Sequence, residues 1–166
     1  MPGAAGFQLS NPSALDLTAV IASLEIFALT SMVAIRNKSI SLTGYLEDLL
    51  LHAPAAAGFD ESGLPYQVVT PSNSGERGAQ LSLLLKPGLL EGVMKALEDV
   101  GVVVDERKPN VIRIAPAPLY NTFTEVWDFV HIFVAACLKA QMGQTDGSQE
   151  VIAFRGQKEK GWAQIK

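Results

Sequence analysis

The residue in this chain best suited to chemistry is an arginine inside an apolar stretch. Arg113 lies in "VIRIA", residues 111–115, directly before a Pro-Ala-Pro step. Because strand side chains alternate, we expect Arg113 on the face opposite to Ile112 and Ile114. Because proline cannot extend a central strand, the chain should leave the sheet just beyond the arginine. An arginine at such a place can hold a carboxylate in a bidentate pair.

Two interpretations of Arg113 follow from this pattern. A guanidinium among apolar side chains is costly unless an anion meets it. That anion can be the carboxylate of a bound ligand, which makes Arg113 a binding residue. It can equally be Asp105 or Glu106 across the preceding turn, which makes Arg113 part of a structural ion pair. The periodicity does not decide between them.

The other polar candidates have local explanations. Asn11 is placed to cap the apolar helix that follows, with Pro12 at the first helical position, and Ser10 stands directly before it. In the loop "SGERGAQL", a local salt bridge accounts for Glu76 and Arg77 as well as a ligand site does. None of these patterns contains a nucleophile with its base.

Composition excludes several classes of function. The 166 residues carry 13 basic and 17 acidic side chains, for a net charge of −4, so a nucleic-acid partner is not expected. The single cysteine, Cys137, forms no internal disulfide and falls in an apolar pattern that predicts burial. His52 and His131 lack metal-ligand spacing. The N-terminus is not that of a signal peptide, and residues 129–138 are too short to span a bilayer, so we expect a soluble, reducing compartment.

Hydrophobic periodicity predicts an α/β domain. Helices are expected at 14–29, 32–51, 89–99 and from Thr122, where "TFTE" is a capping box, and strands at 66–70, 79–85, 102–104 and 111–115. The charged segment "DERKPN" is expected to be the turn between the last two strands. This order predicts a two-layer unit, a small and mostly antiparallel sheet backed by helices. The first helix is apolar nearly all round, which predicts that it packs against more protein than this domain supplies.

Three segments together resemble the C-terminal part of kynureninase. They are "PGAAGFQLSNP" at 2–12, "ERGAQLSL" at 76–83 and "DERKPNVIRIAPAPLYNTFTEVWDFV" at 105–130. The shorter segments "ASLEIF" at 22–27 and "KSISLTGYLEDLL" at 38–50 fit the same pattern. The resemblance runs in order from about residue 2 to residue 140 and is carried by several long motifs.

The resemblance implies a function and a fold. Kynureninases are homodimeric hydrolases that depend on pyridoxal 5'-phosphate and have the aspartate-aminotransferase-like fold, fold type I. They cleave L-kynurenine or 3-hydroxykynurenine to anthranilate or 3-hydroxyanthranilate and L-alanine, in tryptophan catabolism and NAD biosynthesis. By this resemblance Arg113 grips the α-carboxylate of the substrate. Asn11 lies near the aromatic end of the substrate, reaching the site of a neighbouring subunit, and Ser10 is assigned there more weakly.

The resemblance also divides the chain. Residues 1–30 correspond to the end of the large domain and a linking helix, and residues 31–142 to the C-terminal small α/β domain. Residues 143–166 lie outside the resemblance and are expected to form a mobile tail, with at most a short strand at 151–154. The location implied is the cytoplasm.

The parts of kynureninase that hold the cofactor are expected outside this chain. The Schiff-base lysine, the aspartate that faces the pyridine nitrogen and the phosphate-binding loop all belong upstream in the family. We therefore assign no catalytic, cofactor-binding or metal-binding residue here and expect the chain alone to be inactive. The alternative is a catalytically dead, stand-alone α/β module that binds a carboxylate ligand or pairs with full-length subunits.

Overall fold

The computed structural model describes residues 3–7, 10–11, 13–59 and 63–145. The helices are α1 (Ala14–Ala28), α2 (Met32–Ala56), α3 (Leu90–Glu98) and α4 (Phe123–Thr145), and the strands are β1 (Tyr66–Val68), β2 (Leu81–Leu85), β3 (Asp105–Arg107) and β4 (Val111–Ile114). This order confirms the predicted α/β class. Helix α4 includes the first three residues that we assigned to the tail, and residues 146–166, with the strand predicted at 151–154, lie outside the described part of the chain.

The four strands form one antiparallel sheet in the order β1-β2-β4-β3. The register pairs Leu81 of β2 with Ile114 of β4, and Asp105 of β3 with Arg113 of β4. The prediction of a strand at 102–104 is wrong, because β3 occupies the next three residues, which we had assigned to the turn. The remaining turn, residues 108–110, is thus only three residues long.

The hydrophobic core lies between one face of the sheet and helices α2, α3 and α4. Strand β2 buries every second residue, and β4 buries Ile112 and Ile114 but leaves Val111 and Arg113 half-buried. The helices contribute leucines and valines from α2, α3 and α4, together with Phe133 and Cys137. The expected burial of Cys137 is confirmed, and burial raises the pKa of its thiol to about 12. Alternation along β4 therefore places Arg113 on the face away from the core, as predicted.

Helix α2 runs five residues further than predicted and passes through a proline. Pro54 has no N–H, so it cannot donate to the carbonyl oxygen of Leu50, four residues before it. The hydroxyl of Tyr66 donates to that oxygen instead, at 2.7 Å. Both Tyr66 and Leu50 are buried, and burial raises the pKa of Tyr66, so the phenol keeps the proton that it donates. Tyr66 of β1 thus donates the hydrogen bond that the backbone at Pro54 cannot donate, and the buried carbonyl oxygen of Leu50 keeps a partner.

Two arginines fix the loop between β1 and β2 against α2. Arg36 donates from Nη2 to the carbonyl oxygens of Ser74, at 2.5 Å, and Arg77, at 3.0 Å. The Nη2 atom of Arg77 lies 2.6 Å from Oε2 of Glu47 on α2, and the two side chains are only 5% and 16% exposed. We expected a local salt bridge in this loop, but Arg77 pairs across 30 positions of sequence, and Glu76 accepts from Asn73 instead.

Helix α1 is exposed along its whole length within the described structure. Its apolar side chains are accordingly uncovered, for example Ile21 at 56%, Leu24 at 59% and Leu15 at 84% exposure. Its N-cap is Ser13, whose side chain accepts from the N–H of Asp16, so the prediction of Asn11 as the N-cap is wrong. Pro12, predicted at the first helical position, lies outside the described residues. The expectation that α1 packs against further protein stays a prediction, as do the proposed domain boundaries.

Among the described helices, none taken alone has the length and composition of a membrane-spanning segment. Helices α1 and α2 meet that measure only as a pair, and they are bent by 79° relative to each other.

Candidate anion-binding site

Arg113 forms an ion pair with Asp105, its cross-strand neighbour. The Nε atom of Arg113 donates to Oδ2 of Asp105 at 2.5 Å, and Nη2 donates to the same oxygen. The other carboxylate oxygen, Oδ1, accepts from Nη1 of Arg107 at 2.9 Å. Of the two anions that the sequence offered as structural partners, Asp105 is therefore the one used, and Glu106 lies near Lys108 instead.

The ion pair is only half-buried. The side chain of Arg113 is 32% exposed and that of Asp105 is 44% exposed. Pairs at this level of exposure typically contribute between about 0 and 1 kcal/mol to stability, because water already solvates both charges well. The ion pair of the structural interpretation is therefore present, and its expected contribution to stability is small.

Arg113 also lines a cavity of about 470 Å³ at the end of β4. The cavity wall combines apolar side chains with three charged ones, and is formed by Leu46, Val103, Val104, Asp105, Arg113, Ile114, Ala115, Pro116, Asn121, Glu125, Val126 and Phe129. Pockets for small ligands commonly measure about 300–1,000 Å³ and pair an apolar lining with a few polar groups. The volume falls within this range, and the lining carries one guanidinium, Arg113, beside two carboxylates, Asp105 and Glu125.

The start of α4 supplies the remaining polar wall of the cavity. The capping box is confirmed: Oγ1 of Thr122 accepts from the N–H of Glu125 at 3.2 Å, and Oε2 of Glu125 accepts from the N–H of Thr122 at 2.7 Å. The backbone N–H of Thr122 holds the pKa of the Glu125 carboxyl below its usual range, helped by the side chains of Thr122 and Asn121 and the charge of Lys38. Asn121 accepts from the N–H of Ala117 at 2.7 Å.

Sequence reasoning did not assign Asn121 or Glu125 to the site. The capping box "TFTE" explains Glu125 without a ligand, and Asn121, which directly precedes it, suits the end of a strand or a helix cap. Their place beside Arg113 depends on how α4 crosses the end of β4, and no sequence pattern records that crossing.

The other two predicted site residues lie elsewhere. Ser10 and Asn11 are exposed, precede α1, and are not part of the cavity wall. The structure therefore does not bring them together with Arg113, and their assignment to the substrate stays a prediction.

The described residues do not fit the reactive part of a pyridoxal phosphate site. The cavity wall contains no lysine. Lys86, Lys95, Lys108 and Lys139 are exposed. Lys38 is half-buried and its charge acts on Glu125, but it does not line the cavity. A lysine that forms a Schiff base needs an enclosed position against its cofactor. What this cavity offers is a guanidinium for an anion, so we derive no covalent step from these residues.

Comparison with known proteins gives one matching family and several similar proteins. The family model for the kynureninase C-terminal domain matches residues 35–133, more than half of the chain. The chain is 64% identical over 139 residues to Kynureninase 1 of Aspergillus oryzae, covering 84% of this chain and 28% of the relative. It is 63% identical over 139 residues to Kynureninase of Coccidioides immitis, covering 84% and 29%, and 61% identical over 140 residues to Kynureninase 1 of Phaeosphaeria nodorum, covering 84% and 26%.

The chain spans less than a third of the length of these relatives. The region that the family model matches contains most of α2, all of α3, all four strands and α4 up to residue 133, and therefore the whole cavity wall. The chain belongs to the kynureninase C-terminal domain family.

Proposed function

We propose that this chain is the part of a kynureninase that binds the α-carboxylate of the substrate through Arg113. The whole enzyme would hydrolyse L-kynurenine or 3-hydroxykynurenine to the corresponding anthranilate and L-alanine, in tryptophan catabolism and NAD biosynthesis. The observation that carries the proposal is the position of Arg113: its guanidinium lies in the wall of a ligand-sized cavity, in a chain that is 64% identical to a protein named kynureninase.

Electrostatics support this role for Arg113. A half-buried guanidinium beside an apolar wall binds a carboxylate more strongly than one in open water, because the local dielectric constant is lower. Its planar fork offers two parallel N–H groups to the two carboxylate oxygens, which the single ammonium group of lysine does not. The apolar side chains Leu46, Val126 and Phe129 lie in the same wall and suit the carbon skeleton of an amino acid.

The rest of the machinery is proposed to come from outside the described residues. Pyridoxal phosphate supplies an electron sink when bound. In the whole enzyme it would be held by residues in the part of the longer kynureninase relatives that this chain does not cover. Asn11, and less strongly Ser10, would meet the aromatic end of the substrate in the site of a neighbouring subunit. We accordingly propose a cytoplasmic homodimer as the working form.

A chimera tests the proposal. The chain would replace the matching 139 residues in Kynureninase 1 of Aspergillus oryzae, whose parental form serves as the positive control. We expect the chimera to release anthranilate from kynurenine. A folded chimera without activity, beside an active parent, would favour the alternative of an inactive carboxylate-binding module.

The variant Arg113→Ala in that chimera tests the carboxylate clamp. Leaving one charge of such a pair unmatched costs on the order of 2–5 kcal/mol, or roughly thirty- to several-thousand-fold in kcat/KM. Because the pair with Asp105 is half-exposed, the melting temperature should change little. Normal kcat/KM together with a clearly lowered melting temperature would reduce Arg113 to a structural residue.

A further inference from the structure

The contact between Asp105 and Arg113 uses one particular edge of the guanidinium. Nε and Nη2 carry two N–H groups that point in the same direction along the side of the arginine. Both of these atoms donate to Oδ2 of Asp105. The end of the guanidinium, formed by Nη1 and the second N–H of Nη2, is a separate edge with its own pair of parallel donors. The hydrogen bonds of Arg113 within the described residues all go to Asp105, so this end edge is the one left for a ligand.

Asp105 is itself held in place from two directions. Its Cα is the register partner of Arg113, so the strand ladder sets the distance between the two side chains. Arg107, two residues further along β3, donates from Nη1 to Oδ1 at 2.9 Å. Each oxygen of the carboxylate therefore has a different arginine, and rotation of the carboxylate would break one of the two contacts. The result is a fixed acceptor for the side edge of Arg113.

A fixed acceptor matters because a long side chain at a cavity wall otherwise has many rotamers. Arg113 has four rotatable bonds, and binding a carboxylate would have to freeze them. A partner that orients the guanidinium before the ligand arrives reduces that entropic loss and increases affinity without touching the ligand. The half-exposed pair contributes little to stability, so orientation is the effect that the geometry supports.

We propose that Asp105 is a positioning residue: it occupies the side edge of Arg113 and thereby presents the end edge to the substrate carboxylate. This inference rests on the proposed function, in which Arg113 binds that carboxylate. It differs from a competing arrangement in which Asp105 blocks Arg113 and the substrate must displace it. The two arrangements predict opposite changes in substrate affinity when the aspartate charge is removed.

The test uses the chimera described above with the variant Asp105→Asn. Its two ligands are kynurenine and the analogue with hydrogen in place of the α-carboxylate, which is measured as an inhibitor. We expect KM for kynurenine to rise roughly tenfold, the size associated with one charge-assisted contact, while kcat changes less than about twofold. The inhibition constant of the decarboxylated analogue should stay within about twofold, because it makes no contact with Arg113.

Two further variants sharpen the comparison. Asp105→Ser removes the carboxylate without adding N–H donors that face Arg113, and it must reproduce the rise in KM. Glu106→Gln is the matched control, because it neutralises the next carboxylate on the same strand, which belongs to the opposite face. Its KM for kynurenine should be unchanged.

Coupling to Arg113 separates orientation from general structure. In the Arg113→Ala background, Asp105→Asn should cause no further change in the kinetics, since there is no guanidinium to orient. A fall in KM on Asp105→Asn would overturn the proposal in favour of competition. If Asp105→Asn weakened the binding of kynurenine and of the decarboxylated analogue equally, the effect would be a general structural one, and the proposal would also be overturned.

The same data distinguish failure of the inference from failure of the proposed function. If Arg113→Ala still discriminates normally between kynurenine and the decarboxylated analogue, the carboxylate clamp itself is wrong. If Arg113→Ala loses that discrimination while both Asp105 variants keep it, only the positioning role of Asp105 is refuted.

Discussion

Replacing Tyr66 by phenylalanine tests how α2 continues through Pro54. The substitution removes one oxygen, the donor 2.7 Å from the carbonyl oxygen of Leu50, and leaves the ring in place. That ring packs against Phe133 with centroids 5.2 Å apart, and phenylalanine preserves the contact. The change therefore isolates the hydrogen bond from the packing around it.

The expected loss follows from the burial of both partners. Tyr66 is 7% exposed and Leu50 is 1% exposed, so water does not easily replace the lost donor. A buried acceptor left without a partner typically costs about 1–3 kcal/mol. We expect the free energy of unfolding to fall by that amount, measured by urea denaturation followed by circular dichroism at low protein concentration.

The companion variant Pro54→Ala provides the control. Alanine restores an N–H four residues after Leu50, so the carbonyl oxygen regains a helical donor. In the Pro54→Ala background, Tyr66→Phe should lower the free energy of unfolding by less than half of the amount by which it lowers that of the original chain. This comparison does not depend on the effect of Pro54→Ala alone. Equal losses in the two backgrounds would refute the reasoning and leave Tyr66 as a packing residue only.

Three further predictions concern charge and exposed apolar surface. Arg77→Ala should lower the free energy of unfolding by about 3–5 kcal/mol, because it leaves the nearly buried Glu47 without its partner. Lys108→Ala, at an exposed ion pair, should lower it by less than about 1 kcal/mol, and equal losses for the two variants in urea denaturation would contradict this prediction. Glu125→Gln should lower the melting temperature at pH 7, and this difference should shrink as the pH falls below 4.5, the ordinary pKa of the carboxyl group, because a group with a lowered pKa stabilises the fold only while it is charged. A difference in melting temperature that does not depend on pH would refute this prediction. The chain by itself should self-associate through the exposed apolar side chains of α1, and the double variant Ile21→Glu with Leu24→Glu should shift the chain toward monomer. Sedimentation velocity measures both, and a wild-type chain that sediments as a monomer would contradict the prediction.

The extent of α2 shows where local sequence rules stop. Periodicity up to residue 51 and a proline at 54 together predicted a helix that ends early, and the structure continues it to Ala56. There the Tyr66 hydroxyl donates to the carbonyl oxygen of Leu50, 16 positions away in sequence, and helix propensities do not include such a long-range contact. The N-cap is a smaller case: Asn11 and Ser13 both suit the role, and residue preference alone does not choose between them.

The position of β3 has a different cause. The run of valines at 102–104 has high strand propensity, yet Val103 is 94% exposed and the strand forms from charged residues instead. Pairing with β4 across a turn of only three residues selects which positions form the ladder, and at the outer strand of a sheet that selection outweighs side-chain preference.

The candidate site was predictable in its central residue and not in its surroundings. An arginine flanked by buried isoleucines and followed by prolines is a strong local signal, and the alternation that it predicts is confirmed. The same pattern left Asp105 and a ligand carboxylate as rival partners. The structure shows Asp105 on the edge formed by Nε and Nη2, and our proposal assigns the ligand carboxylate to the other edge; this distinction requires atomic positions and cannot be read from residue types.

The charged character of β3 also bears on how copies of this chain can meet. As the outermost strand of the sheet among the described residues, β3 leaves one row of backbone N–H and C=O groups without a neighbouring strand there, the kind of surface on which a second molecule can add a strand. That row is only three residues long, and all three side chains are charged. Edge-to-edge growth into larger sheets is therefore disfavoured at this end of the sheet. Neutralising Asp105 weakens the protection, so light scattering belongs beside the kinetics of every Asp105 variant.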